Sequence, residues 1–176
     1  RLEGPSAATE QNKTVTTNLK ESRDYLIGRA EVFNNSQENI KLEYFIWPPE
    51  DQWPEANDEA PTYWLFGFRI GSGEKVISII NHLDTVPPGN AVGWEPFNPK
   101  VEQREYLNNP STNFWVGRGT IDDKGPAVAA FSVLRAIAKT YDNDPAKLEG
   151  VTLEVIFDSS EETDMSTPHY LKDETV

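Results

Sequence analysis

Two short apolar runs bracket an alanine-rich stretch, and this order limits the fold more than any other feature. Val76–Asn81 reads Val-Ile-Ser-Ile-Ile-Asn, and Val151–Phe157 is of the same kind. Continuous runs of this length suit strands buried on both faces of a sheet. Between them, Ala127–Tyr141 carries Val128, Phe131, Leu134, Ile137 and Ala138 at helical spacing, and Asp142-Asn143-Asp144-Pro145 stops it. Strand, long connection, helix and strand together imply an α/β layered fold with helices packed on a central sheet. Lys41–Trp47 and Tyr63–Ile70 read as further strands, the second ended by Gly71-Ser72-Gly73. Leu19, Tyr25, Leu26, Ala30 and Phe33 predict an amphipathic helix over 19–33. Residues 1–18 read as a polar, mobile N-terminal arm. Pro48–Pro61 reads as an acidic, proline-rich loop. Residues 87–114 hold five prolines and read as a long loop, a kind that is usually functional in compact domains.

Charge and composition remove several classes. The 176 residues carry a net charge of −13, from 29 acidic and 16 basic side chains, with no basic block. A phosphate-backbone binder needs a basic face, so nucleic acid is a poor partner, and so is an anionic membrane surface. Cysteine is absent, which excludes disulfides and thiolate-bound zinc. No apolar run approaches the roughly 18 residues of a spanning helix, and no signal peptide is visible. The chain begins at Arg1 and its one methionine is Met165, so the start is expected to be a processed end or a cut boundary. A cytoplasmic and an exported location both stay open.

Three polar clusters lie at the ends of these elements. His82 and Asp84 follow the first apolar run. Residues i and i+2 of a strand share a face, so Asp84 can fix one imidazole nitrogen and leave the other for a metal. A purely structural His–carboxylate pair explains the same spacing. Gly117–Gly125, with Asp122 and Asp123, precedes the alanine-rich helix, where acids also serve as helix caps. Asp158-Ser159-Ser160-Glu161-Glu162 follows the second run, where α/β sheets gather their sites, although a solvated acidic loop would look alike. Adjacent carboxylates can divide the work, one holding metal and one handling protons. Histidine with carboxylates suits a borderline metal such as zinc.

Four motifs in order carry a family resemblance: Asn-His-Leu-Asp-Thr-Val-Pro-Pro-Gly, Gly-Trp-Glu-Pro-Phe, Gly-Arg-Gly-Thr-Ile-Asp-Asp-Lys-Gly-Pro and Ser-Glu-Glu-Thr. From about Tyr63 to Tyr170 the chain resembles the co-catalytic zinc peptidases and deacylases, which include aminoacylase, carboxypeptidase G, acetylornithine deacetylase and succinyl-diaminopimelate desuccinylase. Asp-Asp-Lys-Gly-Pro is most similar to the PepV-like dipeptidase branch. The resemblance implies a three-layer αβα sandwich on a mostly parallel or mixed sheet, with residues 19–176 as the N-terminal portion of the catalytic domain. It implies two zinc ions, with cobalt or manganese as substitutes. His82 resembles a ligand of one zinc, Asp84 the residue that orients it, and Asp122 the bridging carboxylate. Glu161 resembles the general base and Glu162 a ligand of the other zinc, while Asp123 is left a structural or capping role. Asp164 stands where many members carry glycine.

The implied substrate is a small peptide or an N-acyl amino acid, cleaved at its amide bond, and the implied intact protein can be a homodimer. The family completes its site with a later Asp, a distant His, and a lid and dimerisation domain, none of which fits in the 14 residues after Glu162. The 176-residue chain alone is therefore expected to be an inactive fragment, with His169 a surface residue. A competing reading is a degenerate member that binds metal or peptide without turnover. A nucleophile elbow, a calcium loop and a phosphate-binding loop all lack their required spacing here.

Overall fold

Alternate residues of the strand Leu65–Gly71 enter two separate cores, which fixes how the sheet is covered. The computed structural model describes residues 5–52, 63–87 and 93–173. In chain order come helix α1 (Pro5–Asn34) and strands β1 (Glu43–Trp47), β2 (Leu65–Gly71) and β3 (Lys75–His82). Then follow strands β4 (Lys100–Tyr106) and β5 (Asn109–Val116), helix α2 (Lys124–Tyr141), strand β6 (Val151–Asp158) and helix α3 (Thr167–Tyr170). Four strands form one mixed sheet in the order β1-β2-β6-β3. β2 is antiparallel to both β1 and β6, while β3 runs parallel to β6. The architecture is the α/β class with a mixed sheet that the sequence implies.

Register carries the alternation across the sheet. Phe66 and Phe68 lie opposite Phe157 and Val155, and this face packs against α1 and α2. The Phe66 and Phe157 rings are 5.1 Å apart, and Phe68 meets Phe131 of α2 at 5.0 Å. Each such phenylalanine contributes about 1.5–3 kcal/mol on burial. The buried stripe of α2 is Ala127, Ala130, Phe131, Leu134 and Ala138, and its alanines let the helix lie close to the strands. On the other face Leu65 and Ile156 pack with Tyr170 of α3, joined by Phe45 and Trp47.

Four expectations need correction. First, β3 is not buried on both faces: Val76, Ile77, Ile79 and Ile80 are 46–53% exposed. β3 lies at the sheet edge, with β6 its one strand neighbour among the described residues. A buried parallel strand and an apolar edge strand have the same composition, and tertiary context decides between them. Second, most of the expected loop over 87–114 is hairpin, β4 paired antiparallel with β5. Its turn is Leu107-Asn108, both left-handed at φ +49° and +64°, as the twist of a tight hairpin demands. Pro110 and the charges on β4 hid the strand alternation. Residues 88–92 of that stretch, and 53–61 of the Pro48–Pro61 loop, lie outside the described residues.

Third, α1 starts at Pro5, so residues 5–18 of the expected arm continue the helix. Leu19, Leu26, Ala30 and Phe33 are buried as expected. Fourth, Tyr25 and Val128, expected on inward faces, are 67% and 55% exposed. Each lies one residue, about 100° of helix rotation, beside a buried neighbour.

Asp142 joins the end of α2 to the connection between α1 and β1. Just past α2, its carboxylate accepts the backbone N–H groups of Glu38, Asn39 and Ile40 at 2.8–2.9 Å. Those hydrogen bonds hold its pKa below the ordinary carboxylate value despite burial. The stabilisation is therefore complete above the unfolded value of about 3.9 and is lost as pH falls through the lower folded value. Asp142→Asn should lower the thermal midpoint at pH 7. Its deficit against the parent should shrink at pH 3, as read by thermal unfolding at both pH values.

Candidate active site

The parallel register of β3 and β6 sets His82 opposite Asp158, at the carboxyl ends of neighbouring strands. Sites in α/β sheets form in the crevice beyond such ends. The turn over 117–123 enters the same region ahead of α2. Its tightness depends on Gly125, where a Cβ would stand 2.2 Å from the Thr120 carbonyl oxygen. Gly119 has a left-handed φ of +81°. The Asp122–Asp123 peptide is cis.

His82 is 7% exposed and both ring nitrogens are engaged. Nδ1 lies 3.1 Å from the Asp84 carbonyl oxygen and 3.3 Å from its carboxylate. Nε2 lies 3.0 Å from Asp122 Oδ1 and 3.8 Å from Glu161 Oε2. Burial disfavours the imidazolium, but the Asp122 hydrogen bond and the charges of Asp84 and Glu161 outweigh it. The pKa of His82 is raised above 6.5. Asp123 starts α2 without a side-chain capping bond. Its carboxylate instead accepts the His82 backbone N–H at 3.1 Å. Asp123 thus ties β3 to α2, where the sequence suggested a structural or capping role.

Asp84 does more than the His-x-Asp spacing implies. Buried at 6% exposure, it accepts the backbone N–H of Glu161 at 3.2 Å and that of Glu162 at 3.0 Å. One carboxylate therefore meets both the histidine and the loop after β6. No sequence periodicity signals that contact, because it spans 77 and 78 residues. Lys124, at the start of α2, was also missed. Burial pulls its pKa below the ordinary lysine value, and the Asp84 charge opposes this.

His82, Asp122 and Glu162 each offer a ligand atom, and these atoms all lie within 4.8 Å of one another. Asp122 is the open member, with its side chain 75% exposed. Three residues far apart in sequence thus form one group able to hold a metal ion. His169 is exposed on α3 and stacks on Tyr63 at 4.2 Å.

Residues 79–175 match the family model described as peptidase family M20/M25/M40, more than half of the chain. The chain belongs to this family. The Bacillus subtilis protein named "Putative dipeptidase YtjP" is 32% identical over 105 residues, 59% of this chain and 20% of that protein. A Staphylococcus epidermidis protein named "Putative dipeptidase" is 34% identical over 109 residues, 60% of this chain and 20% of its own length. The chain thus spans about a fifth of the length of the relatives it matches. The crystal structure of human carnosine dipeptidase 1 aligns with 86% of this chain and 35% of its own, at 15% identity and a TM-score of 0.42. Among the described residues, no helix is long and apolar enough to cross a membrane.

The tight turn is directly testable. Gly125→Ala should cost about 1–3 kcal/mol, because the obstructing atom is backbone and cannot rotate away. Gly28→Ala, in α1 with nothing within 4 Å of the added carbon, should instead gain about 0.5–1 kcal/mol. Urea unfolding of the two variants checks the contrast.

Proposed function

We propose that this segment supplies metal-holding and proton-transfer groups of a metal-dependent hydrolase that cleaves the amide bond of a dipeptide or an N-acyl amino acid. The observation that carries the reading is the convergence of His82, Asp122 and Glu162 within 4.8 Å in a chain of a peptidase family. An imidazole nitrogen with carboxylate oxygens fits a divalent ion of the zinc type, and cobalt or manganese take similar donors. His82 through Nε2 and Asp122 would hold one ion, and Asp122 with Glu162 a second. Bound there, the metal would supply Lewis acidity toward the substrate carbonyl and lower the pKa of water.

The chain's own groups account for the remaining chemistry. Asp84 occupies the Nδ1 side of His82, which directs Nε2 toward the ligand cluster. The Glu161 carboxylate lies beside that cluster, 3.8 Å from His82 Nε2. A base there can take the proton from the attacking water and pass it to the leaving amine nitrogen. The dipeptidase names of the relatives support a small peptide as substrate.

In the intact enzyme, Glu161→Gln should retain zinc and lose about 10²–10⁴-fold in turnover, the usual contribution of a general base. Metal content and hydrolysis of dipeptides and N-acyl amino acids are measured together. Near-normal turnover would exclude Glu161 as the base, and loss of zinc would exchange its role with that of Glu162. Zinc retained without hydrolysis by the intact protein, of which this chain is the N-terminal portion, would favour a binding protein over an enzyme.

Asp84→Asn should weaken zinc binding by about 10- to 100-fold, the usual effect of losing the partner that orients a ligand. Competition with a chromophoric chelator reads the change. Unchanged affinity would reduce the His82–Asp84 pair to a structural contact.

A further inference from the structure

Asp158 is the most deeply buried carboxylate described, at 1% exposure, and it takes no part in the chemistry above. It ends β6 and faces the loop that follows. Its Oδ1 accepts the backbone N–H of Ser160 at 2.9 Å and of Ser166 at 3.1 Å. Its Oδ2 accepts the backbone N–H and the hydroxyl of Thr167, both at 2.7 Å. A longer contact of 3.4 Å reaches the Ser160 hydroxyl. A carboxylate has about four acceptor positions, and these donors fill them. Asp158 therefore has no capacity left to hold a metal, although it is the register partner of His82.

The donors come from both ends of one loop. Ser160 leads directly into Glu161 and Glu162, and Ser166 and Thr167 begin α3. Within the loop the Ser160 carbonyl accepts the N–H groups of Thr163, Asp164 and Met165. The Ser160 and Ser166 hydroxyls meet at 2.6 Å, closing it again. The loop is thus wound around the Asp158 carboxylate, with Glu161 and Glu162 carried on its outer turn. Burial opposes the Asp158 charge, but the hydrogen bonds outweigh it and hold its pKa below the ordinary value.

We propose that Asp158 is a positioning residue: its buried carboxylate closes the Ser159–Ser166 loop and so fixes where Glu161 and Glu162 stand relative to His82 and Asp122. Its effect on metal binding rests on the metal-site reading given above, whereas its effect on the loop does not. Asparagine in its place presents an amide NH₂ on one side, where the backbone N–H donors lose their acceptor. The loop then loses either the Ser160 and Ser166 backbone bonds made to Oδ1 or the Thr167 backbone bond made to Oδ2.

The test compares Asp158→Asn, Thr167→Val and Leu134→Ala with the parent. Hydrogen exchange is read on the metal-free proteins, and zinc affinity by chelator competition. In Asp158→Asn, the amides of Glu161–Met165 should exchange at least tenfold faster while those within α2 keep their protection, and zinc affinity should fall at least tenfold. Leu134→Ala, a core change remote from the loop, should lower the thermal midpoint yet leave loop exchange and zinc affinity within twofold. Loop exchange within twofold of the parent in Asp158→Asn would overturn the proposal, as would an equal loosening of the loop in Leu134→Ala. If Asp158→Asn does not fold, Thr167→Val decides, since it deletes one donor and keeps the backbone bond. Faster loop exchange there, by threefold or more, supports the proposal, and unchanged exchange overturns it. If the parent takes up no zinc, the metal reading fails, and the loop exchange still decides the role of Asp158.

Discussion

Parallel pairing of β3 with β6 brings the ends of two distant segments side by side, and the polar contacts of the site start from that register. His82 stands opposite Asp158, and the Leu83 N–H continues the ladder onto the Asp158 carbonyl at 3.0 Å. A slip of one residue would turn the imidazole to the other face of the sheet. The register is held by side chains on both faces of β6, where Val155 and Phe157 enter one core and Ile156 the other. Hydrophobic packing several residues away thus determines where the histidine lies.

The carboxylates around His82 divide by burial. Asp84 and Asp158 are buried and take their hydrogen bonds chiefly from backbone N–H groups, which compensate the loss of water. Asp122 and Glu161 remain open to solvent, near the one imidazole. The inner pair builds the scaffold and the outer pair faces solvent. This division lets a chain of net charge −13 gather acids without burying uncompensated charge.

Much of this was legible in the sequence. Val151–Phe157 and the alanine-rich segment give their elements through composition and spacing, and the ordered motifs point to His82, Asp122 and Glu162. Other parts required tertiary information. The apolar β3 reads as a central strand because its composition does not reveal how many neighbours it has. The hairpin of β4 and β5 escaped because Pro110 and Asn-rich stretches resemble loop. Asp158 was visible as an acid at a strand end, but its role depends on serine and threonine donors that only the folded loop brings together.

The central claim is that His82, Asp122 and Glu162 hold metal at the carboxyl ends of β3 and β6. Anomalous diffraction at the zinc absorption edge, from crystals equilibrated with zinc, tests it most directly. An anomalous peak is expected about 2.0–2.1 Å from His82 Nε2, within coordinating distance of an Asp122 carboxylate oxygen. A second peak, or further density on the same one, should adjoin Glu162. Zinc bound only at other surface acids, with His82 Nε2 still hydrogen-bonded to Asp122, would contradict it.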